Sequence, residues 1–202
     1  MKRTSLTPHI LAAGVATVVL CGPAVRAQVG QLKPMDDPEA YAVYAGLLQI
    51  AWSVRFAHVK TLVFQQETGT RWECVPSGKP LEAEWKPVME NLREENAGVK
   101  LLQAGFALGI PYVVVPTADL QASIHGVPNS PWSGFYERYP DSGGFIVASA
   151  VGFDPLTRRA IVYMAYSCGP LCGGGSYHFL EKVDGAWHEA NSMGVVNCFW
   201  AS

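Results

Sequence analysis

Long apolar runs are scarce in this sequence. The run from Ile10 to Cys21 is about 12 residues, too short for a membrane span of about 20. No later stretch is apolar enough to cross a bilayer, so no transmembrane span is expected in the mature chain. Runs of like charge are missing as well. Glu94-Glu95 and Arg158-Arg159 are ordinary solvated pairs, and no Lys/Arg cluster marks a nucleic-acid surface. Internal repeats are absent, as is any Gly-x-Ser-x-Gly nucleophile elbow. These absences argue against a membrane-spanning mature protein, a nucleic-acid binder and a hydrolase of the elbow type.

The amino end does carry a pattern. Met1-Lys2-Arg3 is a short basic start, the apolar run follows, and Val25-Arg26-Ala27 offers small residues at the −3 and −1 positions of a cleavage site. Residues 1–27 therefore read as a secretory signal peptide. Lipidation at Cys21 is disfavoured by the bulky Leu20 before it. The expected address is the periplasm where the source has an outer membrane, and otherwise the exterior. Loss of Lys2, Arg3 and Arg26 lowers the basic count from 15 to 12 against 17 acidic residues, a mature charge of −5. Roughly 175 mature residues suit one domain with a sizeable core.

Residues 28–35 read as a flexible leader and 36–202 as a single α+β domain. Asp36-Asp37-Pro38-Glu39 has the chemistry of a helix start, with an Asp cap, an early proline and acid near the positive end. Tyr41, Tyr44, Leu47, Leu48 and Trp52 then recur at helical spacing. Val59 to Gln65 predicts a strand, and Trp72 to Lys79 a loop carrying Cys74. Leu81, Trp85, Val88 and Leu92 predict a second helix that Pro87 kinks or opens, closed by Asn96-Ala97-Gly98. Tyr112 to Val115 predicts a short strand, Thr117 to Ile124 one or two helical turns, and Gly126 to Pro131 a loop.

The last third reads as an antiparallel meander: Phe145 to Val151, Arg159 to Ser167, Tyr177 to Val183, Ala186 to Met193 and a short edge at Cys198 to Trp200. Asp154-Pro155-Leu156-Thr157 supplies one turn, and Asp184-Gly185 is a strong two-residue hairpin signal. The expected architecture is α+β, with N-terminal helices packed on this meander in the manner of cystatin-like or NTF2-like folds. A two-residue turn fixes the register: Val183 faces Ala186, Lys182 faces Trp187, Glu181 faces His188 and His178 faces Asn191. Tyr177, Phe179, Glu181 and His188 then share one face, and His178, Leu180, Lys182 and Trp187 the other. The two histidines point apart, which argues against a two-histidine metal site. No metal or cofactor is expected.

Four cysteines remain after processing: Cys74, Cys168, Cys172 and Cys198. An even count in an exported chain points to disulfides, with three pairings available. Gly-Pro-Leu between Cys168 and Cys172 can bring those two into range, leaving Cys74 to Cys198 as a long bridge. A redox pair is disfavoured, because Gly173-Gly174-Gly175 and a strand follow where a helix amino end would lower the thiol pKa. A zinc site at Cys168, Cys172 and His178 lacks a fourth ligand. A phosphate cradle needs its glycines before a helix, not between strands. The expected role is a stapled turn whose glycines allow positive φ or close backbone approach.

Ser133 to Gly144, SGFYERYPDSGG, is dense in aromatics and turn residues, which suits a loop packed on one end of the sheet or the rim of a groove. Trp132, Tyr136, Tyr139 and His178 are the candidate ligand-binding residues. For hydrolytic chemistry, Ser142, His178, Asp141 and Glu137 are available. WSGFYERYPDSGG, VGFDPLTRRAIVY, CGPLCGGGSYHFLEKVDGAW and the closing FWAS resemble the C-terminal region of a family of exported bacterial proteins of unknown function. The likeness covers roughly residues 132–202, with Pro170, Ala201 and Cys198 as departures. It implies one secreted α+β unit and no catalytic residues. Two functional classes follow from the residues. One is a non-catalytic exported domain binding a peptide, protein or envelope component. The other is a small exported hydrolase or thiol-disulfide protein using the aromatic loop with His178 or the Cys168/Cys172 pair. Ile161 and Tyr163 against Val162 and Met164 make both sheet faces apolar, so an uncovered face would need a partner, such as a second copy in a homodimer.

Overall fold

The computed structural model describes residues 32–50, 59–69, 81–190 and 199–201, and these hold ten strands and four α-helices. The signal-peptide and leader expectations, Trp52, Cys74, Asn191 and Cys198 fall outside the described residues, apart from the leader's last four positions. In order come β1 (Lys33–Pro34), α1 (Pro38–Ile50), β2 (Leu62–Gln65), a 3-10 turn (Ala83–Trp85), α2 (Lys86–Glu95), β3 (Lys100–Leu101) and β4 (Tyr112–Val115). Then follow α3 (Thr117–His125), α4 (Ser133–Arg138), β5 (Phe145–Ala148), β6 (Gly152–Phe153), β7 (Arg159–Gly169), β8 (Cys172–Val183), β9 (Ala186–Glu189) and β10 (Phe199–Ala201). The class is α+β, as expected.

The main sheet runs β10-β8-β7-β5-β2-β4, with β6 paired to β7 and β9 to β8; β1 and β3 form a separate parallel pair. From β5 to β10 the ladder is antiparallel, while β2 joins β5 and β4 joins β2 in parallel. The sheet is therefore mixed, and the meander is extended by two strands from the N-terminal half.

Strand alternation sorts the core into two faces. Leu62, Phe64, Ile146, Ala148, Val162, Met164 and Leu180 lie on one face and pack with Tyr44, Leu47 and Leu48 of α1. Ile161 and Phe179 lie on the other against Trp85, Val88 and Leu92, and further along Val63 and Phe145 meet Leu120, Ile124 and Phe135. Helices thus cover both faces. Both faces need cover because β7 is apolar on both sides, and Ile161, Val162 and Met164 are all fully buried. The chain itself covers both faces of this strand.

Local chemistry explains most boundaries. Asp37 opens α1 through Oδ1, which accepts the Glu39 N–H at 2.9 Å. Pro87 sits in the first turn of α2, where its missing N–H is harmless, so it opens the helix rather than kinking it. Asp184-Gly185 makes the expected turn, with both residues at positive φ, and the register pairs Val183 with Ala186, Lys182 with Trp187 and Glu181 with His188.

Three expectations need correction. The strand expected from Phe145 to Val151 breaks after Ala148. Ser149, Ala150 and Val151 form a bulge in which Ser149 N–H still donates to Tyr163 O of β7, while other polar atoms find partners off the regular ladder. Tyr163 N–H donates to Ser149 Oγ, Ala150 N–H donates to Asn96 Oδ1, and Asn96 Nδ2 donates to Ala150 O. Second, Ser133 to Arg138 is a short helix, not a loop; its entry residue Trp132 sits at φ 76°. Third, Gly173, Gly174 and Gly175 lie inside β8, paired with Ser167, Tyr166 and Ala165, and none has positive φ. Gly174 and Gly175 also pair with Ala201 and Trp200 of β10, so the glycines permit close pairing on both edges rather than a turn.

Candidate functional site

The aromatic candidates gather at one end of the sheet as a packed cluster. Trp132 stacks on Phe145 at 5.8 Å between ring centroids and 15° between planes. Phe135, fully buried, touches Trp132, Tyr136 and Tyr139 at 5.3, 5.2 and 5.1 Å. Tyr136 donates its hydroxyl to Cys168 O at 2.8 Å, which ties α4 to the end of β7. Burial pushes the Tyr136 phenol above its usual pKa. The Trp132 backbone is strained for a bulky residue, and its N–H to Ile124 O bond holds it in place. These interactions are what a sheet cap needs.

His178 is not part of that cluster. It pairs with Val162 in the middle of β7, six residues from Cys168, and shares the α1-facing side with Leu180. At about 3.3 Å per residue, the two regions are roughly 20 Å apart along the strand, and they lie on opposite faces. The expected grouping of Trp132, Tyr136 and Tyr139 with His178 does not form.

The partners that His178 does have are Ser176 and Glu189. Ser176 Oγ lies 3.0 Å from Nε2, and Glu189 Oε1 lies 2.7 Å from Nδ1. Residues 176 and 178 share a face because they are two apart on β8. The hairpin register sets Glu189 across from Leu180, diagonal to His178. The hydrogen bond from His178 holds the Glu189 carboxyl below its usual pKa, against the opposing effect of burial. The imidazole is 12 % exposed and the Glu189 side chain 44 %. Ser142, offered as a nucleophile from sequence, instead donates to Tyr139 O at 2.7 Å. Asp141 faces Lys60 at 3.4 Å.

The disulfide loop is a narrow tip. Cys168 and Cys172 are bonded with their Cα atoms 5.0 Å apart, and Gly169 pairs with Cys172 across Pro170-Leu171. Leu171 at the apex is 84 % exposed.

Sequence reasoning missed a surface cleft of about 410 Å³ beside the start of α1. Met35, Asp36, Pro38, Tyr41, Ala42, Gln103, Gly105 and Ala107 line it. Its wall is fixed by Tyr41, whose hydroxyl donates to Met35 O at 2.9 Å and accepts the Gln103 N–H at 2.6 Å. The Tyr41 ring meets Phe106 edge-on at 5.0 Å, and Phe106 stacks on Phe64 at 4.4 Å. Burial raises the Tyr41 phenol pKa, so it stays a neutral donor. Nothing in the pattern of residues 101–108 announces this cleft; it arises where β3 meets β1 and brings that segment against α1.

Among the described residues, no three His, Cys, Asp or Glu side chains converge as a metal site, and no helix is long and apolar enough to cross a membrane. No family model, curated protein or solved structure matches this chain.

Proposed function

We propose that the chain is an exported, disulfide-stapled domain that binds a peptide or other envelope component in the cleft beside Tyr41. The cleft carries this reading. Its volume falls within the range of small-ligand sites, and mainly apolar walls converge with two polar groups, Asp36 and Gln103. Hydrogen bonds and ring contacts hold Tyr41 in place, so little ordering entropy is lost on binding. The basic-apolar-small leader supports export, and the oxidised Cys168–Cys172 pair suits an oxidising compartment. The likeness to an exported family agrees with that address. Ala42 is exposed on the cleft rim, so Ala42→Trp fills the space without touching the core. Equilibrium dialysis against a pool of acetylated apolar tetrapeptides should show saturable retention by the mature protein and a loss of at least tenfold in the variant. Equal retention by both would remove the cleft as the site.

A second reading, a small exported hydrolase, is favoured by one observation: His178 held between a hydroxyl and a carboxylate.

A further inference from the structure

Resting on the hydrolytic reading, we infer that Ser176 is an acyl-accepting nucleophile for carboxylic esters, with His178 as its base and Glu189 as the group that orients the imidazole. The two hydrogen bonds determine the tautomer. An ionised Glu189 at 2.7 Å requires a proton on Nδ1, because a bare nitrogen lone pair there would face a carboxylate lone pair. In the neutral imidazole Nε2 is then the acceptor, and Ser176 Oγ–H at 3.0 Å donates to it. That is the arrangement in which a hydroxyl is activated by an adjacent base whose far side is fixed by a third group. Glu189 is well suited to the orienting role, since its bond to His178 favours the ionised form.

The geometry is built into the chain rather than left to side-chain freedom. Ser176 and His178 project from one strand, and the Asp184-Gly185 turn sets the register that brings Glu189 to the Nδ1 side. Lys182, the next residue but one after Leu180 on that face, does not compete, because its Nζ is held by Glu39 at 2.7 Å. His178 is mostly sheltered from water, which strengthens its electrostatic contacts, while Ser176 is partly exposed.

The step balances without an added cofactor. Ser176 Oγ bonds to the ester carbonyl carbon, its proton passes to Nε2, and the carbonyl π pair moves onto oxygen. Collapse of that adduct breaks the carbon–alkoxy bond, and the alcohol leaves with the proton from Nε2. Water then attacks the acyl-serine with His178 again accepting a proton. That proton returns to Ser176 Oγ as the carboxylic acid departs. The imidazolium formed in each half faces Glu189.

The test is labelling of the folded mature protein with a fluorophosphonate, mapped by peptide mass spectrometry, alongside hydrolysis of p-nitrophenyl acetate. The expected result is a phosphonyl group on Ser176 that Ser176→Ala prevents. Hydrolysis should fall on the order of 10²–10⁴-fold in both Ser176→Ala and His178→Ala. Ser176→Cys should retain a covalent acyl intermediate, which guards against a folding artefact. Hydrolysis that survives Ser176→Ala but needs His178 would overturn the nucleophile and keep the hydrolytic reading. A folded wild-type protein with neither label nor hydrolysis would overturn both.

Discussion

Gly152→Ala tests the packing of α2 on the sheet at one atom. Gly152 is buried in β6, and a Cβ built there would lie 2.5 Å from Leu92 N, 2.5 Å from Leu92 Cβ and 2.6 Å from Leu92 Cα. Two of those atoms are backbone, so no rotamer change relieves the contact. Either α2 must move away from β6 or the bulge at Ser149 to Val151 must reshape. Overpacking of a tight core costs about 1–3 kcal/mol, and a backbone clash belongs at the upper end. At about 2.1 cal/mol/K per residue, a domain of roughly 170 residues unfolds with an entropy near 0.36 kcal/mol/K, so ~3 kcal/mol lowers Tm by about 8 °C. Thermal melts by circular dichroism read this directly. Gly98→Ala is the matched control, because Gly98 is exposed and its Cβ would meet nothing within 4 Å. The two variants should differ by more than 5 °C, and a Gly152→Ala melt within about 1 °C of wild type would refute the close approach.

Other expected outcomes concern single interactions. Asn96→Ala removes bonds to Ala150 N–H, Ala150 O and Leu92 O, while Ala150 O keeps the Ser149 hydroxyl, so urea unfolding should show a loss of about 2–4 kcal/mol. Lys182 and Trp187 hold Glu39 below its ordinary pKa of 4.5, and His178 does the same for Glu189. The unfolded chain therefore takes up protons first, and stability present above about pH 4.5 declines as pH falls further. Glu39→Gln should flatten that acid limb in a pH series of melts. Cys168→Ser with Cys172→Ser opens a very short loop, worth about 2 kcal/mol or less in the chain-entropy model. Hydrogen exchange should quicken at Gly169 and Cys172 while the amides of β2 stay protected.

Much of the fold was legible where local chemistry and long-range packing agree. Asp37-Pro38 opened a helix, Tyr112 to Val115 was a strand with the expected bounds, and Asp184-Gly185 set a register that the structure reproduces. Errors arose where a distant partner decides. Nothing within residues 145–151 says that Asn96, some fifty positions earlier, will satisfy Ala150 and end the strand. Gly173 to Gly175 carry turn chemistry, yet pairing with β7 and β10 draws them into a strand. The parallel attachment of β2 and β4 likewise depends on contacts across the whole chain. Of the sites, the hydrogen-bonded group at His178 was within reach, since the predicted register already placed Glu189 diagonal to His178 and Ser176 two residues away. The aromatic segment misled because Tyr and Trp serve a sheet cap and a groove rim equally well. The Tyr41 cleft had no local signal.

The central claim, that the cleft beside Tyr41 is the binding surface, is tested most directly by amide chemical shifts of the folded protein during titration with acetylated apolar tetrapeptides. The account predicts saturable shifts centred on Tyr41, Ala42, Gln103 and Gly105, absent in Ala42→Trp. Saturable shifts centred instead on Trp132 to Tyr139, or no saturable shift anywhere, would contradict it.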